Sequence, residues 1–156
     1  MRIPVFVAAL AFAAAASATD RPCTKADAAG AGKAIDRVDT WEQLRKAYQE
    51  WGRCDSGETA DAFTDALLRL AVDWKNPDAM ASAMRDDRGF HDFVIAHLKS
   101  DAAKDDRPSV YSRAKKSCPA AQDAFCAEIA DATAPAKAET LDLAPMTRIP
   151  EAPKKK

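Results

Sequence analysis

The stretch Thr40–Trp74, TWEQLRKAYQEWGRCDSGETADAFTDALLRLAVDW, decides how this chain folds. Trp41, Leu44, Tyr48 and Trp51 recur at three- and four-residue steps, as do Phe63, Leu67, Leu70 and Trp74. Each half therefore carries one apolar stripe at the helical period, and the pair reads as two amphipathic helices joined at a cysteine, neither stripe stable facing water. Thr40 with Gln43 forms a capping box at the first start. Gly52 is expected to end that helix in the left-handed conformation common at helix ends. Asp55 with Glu58 offers a second capping box, which leaves Cys54 in a very short connection where the chain reverses.

Outward from the hairpin, the N-terminal end reads as an export signal. Arg2 gives a short basic start, Ile3–Ala16 is almost unbroken apolar sequence, and Ala16-Ser17-Ala18 fits a small-residue cleavage pattern, so residues 1–18 are expected to be removed. The apolar run is too short to favour a spanning helix, so no integral membrane association is expected after cleavage. Residues 19–133 then form one domain of ordinary size with its own core. All four cysteines, Cys23, Cys54, Cys118 and Cys126, follow the signal, and an even count in an exported chain argues for two disulfides. If a helix opens at Pro119, Cys118 and Cys126 stand about 12 Å apart along its rise. A disulfide requires alpha carbons within about 7 Å. Cys54 is therefore expected to pair with Cys118 or Cys126 and Cys23 with the other of the two, with Cys54–Cys118 and Cys23–Cys126 the first choice.

Along the rest of the chain, Thr24 starts a weak helix through Ala26, Ala34, Ile35 and Val38, interrupted by Gly30 and Gly32. Asn76-Pro77 opens a short helix carrying Met80 and Met84. Gly89–Ser100 places Phe90, Phe93, Val94, His97 and Leu98 along one side, behind Asp86 and Asp87 as start residues. Pro108 opens a helix carrying Val110, Tyr111 and Ala114, and Pro119 to about Ala132 reads as the last helix, burying Phe125 and Ile129. Residues 134–156 hold Pro135, Pro145, Pro150 and Pro153 without an apolar face, which predicts a disordered tail. No alternating strand pattern occurs. The expected fold is all-α, a bundle of about five to seven short helices cross-linked by disulfides.

The chemistry-bearing residues are sparse. His91 and His97, six positions apart on one helix, point to different sides and do not form the i,i+4 pair of a zinc site. The Asp86-Asp87 and Asp105-Asp106 pairs precede apolar helical runs, where negative charge suits a helix start, and no loop has the spaced oxygens of a calcium site. No serine lies in a GxSxG context. Neither a metal, a cofactor nor an enzymatic activity is therefore expected. The formal net charge is −1, and the tail's basic excess leaves a mildly acidic body, which argues against nucleic acid as a partner. The reversal at Gly52–Gly57 is short, charged and next to a cysteine, as a rigid recognition loop is built, so Arg53, Asp55, Ser56 and Glu58 are the candidate binding residues.

The run W-x2-L-x3-Y-x2-W-G-x-C-D-x-G over Trp41–Gly57, with D-x-L-x-R-L at Asp65–Leu70 and KSCP at Lys116–Pro119, resembles small uncharacterised exported proteins of Gram-negative bacteria. In architecture the chain is also similar to periplasmic immunity proteins that neutralise type VI secretion effectors. Those resemblances imply a periplasmic or secreted, non-enzymatic module that binds another protein, with the immunity-protein resemblance implying a lytic effector as that partner. A carrier of a small apolar ligand and an acid-stress chaperone are the alternative expectations.

Overall fold

The computed structural model describes residues 21–135. The expected signal, and the expected disordered tail from residue 136 onward, lie outside the described residues. Within them the chain forms seven α-helices: α1 (Lys25–Ile35), α2 (Trp41–Trp51), α3 (Glu58–Val72), α4 (Pro77–Asp86), α5 (Arg88–Lys99), α6 (Arg107–Lys116) and α7 (Asp123–Thr133). Short 3-10 turns at Gly52–Cys54 and Asp101–Ala103 complete the set, and the described residues contain no strand.

Most helix starts follow from their caps. Thr24 and Asp27 exchange both bonds of a capping box at α1, Asn76 caps α4 ahead of its first-turn proline, and Asp87 caps α5 through the Phe90 amide. At α2 the Thr40 hydroxyl accepts from the Gln43 amide, but the Gln43 side chain reaches the Asp39 amide rather than that of Thr40. The box is opened by one residue.

Helix α3 lies at the centre and packs against α1, α5 and α6. Its Phe63, Ala66, Leu67, Leu70 and Ala71 are fully buried, which places one side of the predicted stripe in the core. Phe63 meets Phe93 edge-on at 5.1 Å, Phe93 stacks with Phe90 at 5.9 Å, and Tyr48 leans on Phe93 at 4.8 Å. These are the offset and edge contacts that ring quadrupoles favour. Each fully buried phenylalanine contributes about 1.5–3 kcal/mol over leaving it exposed.

The end of α3 departs from its ordinary form. The Lys75 amide donates to the Leu70 carbonyl and the Trp74 amide to the Ala71 carbonyl, the two bonds of a Schellman motif. The left-handed position, normally glycine, is held by Trp74 at φ 53°, and Asn76 follows at φ 42°. Two indoles hold this corner: Trp41 Nε1 donates to the Lys75 carbonyl at 2.6 Å, and Trp74 Nε1 to the Ser117 carbonyl at 2.9 Å.

Four further expectations from the sequence are corrected by the structure. Gly52 is right-handed, at φ −56°, and its value lies in space rather than in handedness. A β-carbon there would stand 2.9 Å from the Tyr48 ring. The Asp55–Glu58 capping box does not form; α3 starts at Gly57 (φ 52°) without a side-chain cap, because Asp55 is turned toward α5 instead. The last helix begins at Asp123, not Pro119. Residues 117–122 form a loop that turns through Ala121 at φ 64°. That loop overturns the expected pairing, Cys54 with Cys118 and Cys23 with Cys126. The disulfides are Cys23–Cys54 and Cys118–Cys126, the latter with alpha carbons 5.9 Å apart. Eight residues of continuous helix would have kept those sulfurs apart; a reversing loop brings them together.

Ala121 is exposed, so its methyl group gains no packing in return for the left-handed backbone. Ala121→Gly is expected to raise stability by about 0.5–1 kcal/mol, as relief of left-handed strain exceeds the entropy cost of glycine. A higher urea midpoint at unchanged slope is the measurement.

Candidate functional site

The candidate loop is fastened at three consecutive residues, each to a different part of the chain. Arg53 Nη2 pairs with Asp27 Oδ1 of α1 at 3.0 Å, Nη1 donates to the Glu50 carbonyl, and the guanidinium lies 5.5 Å from the Trp51 ring centre. Cys54 is bonded to Cys23. Asp55 Oδ2 lies 3.1 Å from His97 Nε2 on α5. Asp55 occupies the centre of an inverse γ-turn (φ −70°, ψ 76°) closed by the Ser56 amide on the Cys54 carbonyl, and this kink turns the carboxylate inward.

The Asp27 carboxylate is drawn below its ordinary range, first by the Thr24 hydroxyl and amide that donate to it, then by Arg53 and Arg21. One carboxylate thus starts α1 and holds the loop.

Behind Asp55, His97 Nδ1 lies 2.7 Å from Thr64 Oγ1, and that hydroxyl is 2.9 Å from the Ala60 carbonyl. Thr64 is 2% exposed and His97 6%. A hydroxyl between an imidazole nitrogen and a carbonyl serves either charge state of the ring. With neutral His97 protonated on Nε2, Thr64 donates to Nδ1 and Nε2–H donates to Asp55. With charged His97, Nδ1–H donates to Thr64, which turns its own hydrogen to Ala60. The bond to Asp55 survives both. Asp55, His97 and Thr64 thereby place acid, imidazole and hydroxyl in line, the arrangement of a hydrolytic triad. Here the hydroxyl is buried within α3, and the three groups in line join loop to core as a latch.

Thr64→Val keeps the shape and removes the hydroxyl, leaving His97 Nδ1 buried without a partner. A loss of about 1–3 kcal/mol is expected in denaturant unfolding.

Beyond the latch, Ser56, Gly57 and Glu58 are exposed. Ser56 and Glu58 help line a cleft of about 620 Å³ between α1 and α3, together with Lys25, Ala28, Ala29, Gly32, Asp36 and Ala62. Of the four predicted residues, Arg53 is an inward anchor and Asp55, itself at the surface, is anchored by its bond to His97, while Ser56 and Glu58 are exposed without such a tie. Asp27, Thr64 and His97 also belong to the site, and none of them was a candidate from the sequence. Only His97 left a trace, as a polar residue in the otherwise apolar stripe of α5.

The second histidine belongs to a different junction. His91 Nδ1 meets Asp92 Oδ1 at 2.9 Å and Nε2 meets Glu128 Oε1 of α7 at 2.8 Å, and Arg88 pairs with Asp92. Hydrogen bonding to Asp92, then to Glu128, raises the His91 pKa above its ordinary value, and His91 in turn lowers that of Asp92. A raised histidine contributes stability that is present below its unfolded value of about 6.5 and is lost as pH rises through the folded value. Asp92, being lowered, contributes above the unfolded carboxylate value and loses that contribution as pH falls through the folded one. The stability difference between the wild-type chain and His91→Gln is therefore expected to shrink from about pH 6.5 upward, read from urea midpoints across pH.

Among the described residues no cluster of three or more histidine, cysteine or acidic side chains is arranged to hold a metal, and no helix is long and apolar enough to cross a membrane. Comparison with protein-family models, with curated proteins and with solved structures finds no match to this chain.

Proposed function

We propose that this is an exported, non-enzymatic module that binds another protein through the Ser56–Glu58 tip and the adjoining α1–α3 cleft. The observation that carries this reading is the anchoring of Arg53, Cys54 and Asp55 to three separate elements directly before an exposed tip. A loop held in one conformation before binding loses little entropy on association, so few exposed contacts suffice for affinity. Two disulfides fit an oxidising compartment outside the cytosol, in line with the signal-like N-terminal sequence. A lytic effector is the partner that the resemblance to immunity proteins suggests.

A photo-crosslinking side chain at Ser56, with one at exposed Lys46 on α2 for comparison, tests the reading in the native compartment. A discrete adduct formed at Ser56, absent at Lys46 and lost in Glu58→Lys is expected. Identical adducts at both positions, or none at Ser56, would overturn it.

A further inference from the structure

The sixteen residues from Arg107 to Gln122 contain four cations, Arg107, Arg113, Lys115 and Lys116, and no acidic residue, in a chain whose net charge is negative. Three clefts on the described surface carry carboxylates in their walls: Asp65, Asp73 and Asp106 in one, Asp36 and Glu58 in the second, Asp39 and Glu42 in the third. A further cleft of about 440 Å³ along α6 carries none; Ser109, Ser112, Arg113, Lys116, Ser117, Pro108 and Val72 line it. Ser109, Ser112, Arg113 and Lys116 follow at three, four and seven positions, so they share one face of α6 over about 10 Å. We propose that this groove binds a phosphate group, carried as a phosphomonoester.

Charge and donor count select that chemistry. Neither Arg113 nor Lys116 enters an ion pair with a described residue. Arg113 Nε donates to the Val72 carbonyl, which sets the guanidinium on the groove wall and leaves its terminal nitrogens to a ligand. Two hydroxyls and an ammonium add further donors. A carboxylate brings one negative charge to these two cations, whereas a phosphomonoester brings about 1.5–2 and three acceptor oxygens. Arginine's planar fork also matches a phosphate face bidentately. The helix dipole accounts for cations in the last turn of α6, but it places neither the two serines beside them nor the concavity.

The groove is built on other elements than the Ser56–Glu58 tip, so either proposal stands without the other. The test is an amide-resolved NMR titration of the oxidised chain with inorganic phosphate, and in a second arm with vesicles containing phosphatidic acid against pure phosphatidylcholine. Chloride at matched ionic strength is the control. Saturable shifts centred on Ser109, Ser112, Arg113 and Lys116 are expected, with affinity about tenfold weaker in Lys116→Gln and unchanged in Lys46→Gln. Arg113→Gln should do likewise, and the Lys116 side chain makes no ion pair with a described residue that the substitution would break. Response to inorganic phosphate alone assigns a soluble ligand, and response to phosphatidic acid vesicles assigns a lipid headgroup. Shifts spread over all exposed cations, equal binding by Lys116→Gln, or silence in both arms would overturn the site.

Discussion

Removing the Cys23–Cys54 bond by paired serine substitution is expected to lower stability by about 3–4 kcal/mol, and removing Cys118–Cys126 by about 2–3. The order follows from loop length. The first bond closes a sequence separation of 31 residues and the second a separation of 8, so the first withdraws more freedom from the unfolded chain. The native structure adds to the difference. Helix α1 is rich in alanine and glycine and buries only Ala31 and Ile35, so it gains little from packing. Cys23 fixes its N-terminal end, while Asp27–Arg53 ties its first turn to the loop. Without the bond, α1 is expected to fray and the Ser56–Glu58 tip to lose its fixed position. Urea unfolding of the two double variants gives the ranking, and far-UV circular dichroism reads the helix lost. A larger loss from the Cys118–Cys126 pair would show that native packing, rather than chain entropy, sets the contribution of each bond.

Helices were legible wherever a local rule fixed them. The stripe of α2, that of α3 as far as Leu70, the Asn76-Pro77 start, the methionines of α4 and the apolar side of α5 are all decided within four or five residues and stand where the periodicity placed them, whereas Trp74, the last of the expected α3 stripe, falls beyond the helix end at Val72. The disulfides were not legible, because their pairing turned on one backbone angle. Whether Cys118 and Cys126 can meet depends on Ala121 taking a left-handed conformation, and nothing about an alanine announces that. The same holds at Trp74. In the candidate site, the exposed loop was found from composition, but its anchors come from elsewhere in the chain: Asp27 lies 26 positions before Arg53, and His97 lies 42 after Asp55. Asp55 and Glu58 had the spacing of a capping box, and the longer-range bond to a buried imidazole prevailed over that local option.

The strained corner after α3 is the place where a single side chain is expected to matter most. Trp41 is 2% exposed, and Trp41→Ala should cost about 3–5 kcal/mol through the lost apolar surface and the cavity left behind. Trp41→Phe separates the hydrogen bond from the bulk. It keeps a ring in the core but strips the indole donor from the Lys75 carbonyl, and losing such a partly buried bond costs about 0.5–1.5 kcal/mol. The carbonyl stands between two left-handed residues, Trp74 and Asn76, each holding a backbone conformation that L-residues adopt at a cost of about 1–2 kcal/mol. The Trp41 indole therefore acts on more than its own contact, since freeing Lys75 lets both neighbours relax toward ordinary angles and draws Trp74 Nε1 away from Ser117. Through that bond and the 6.4 Å approach of Trp74 to Phe125, a loosened corner reaches α7. Trp41→Phe is accordingly expected to speed amide exchange at the α6–α7 loop as well as around Lys75. Faster exchange confined to α2, or a Trp41→Phe variant as stable as the parent, would mean that the corner holds its shape without the indole and that Trp74 stays left-handed for reasons local to α3.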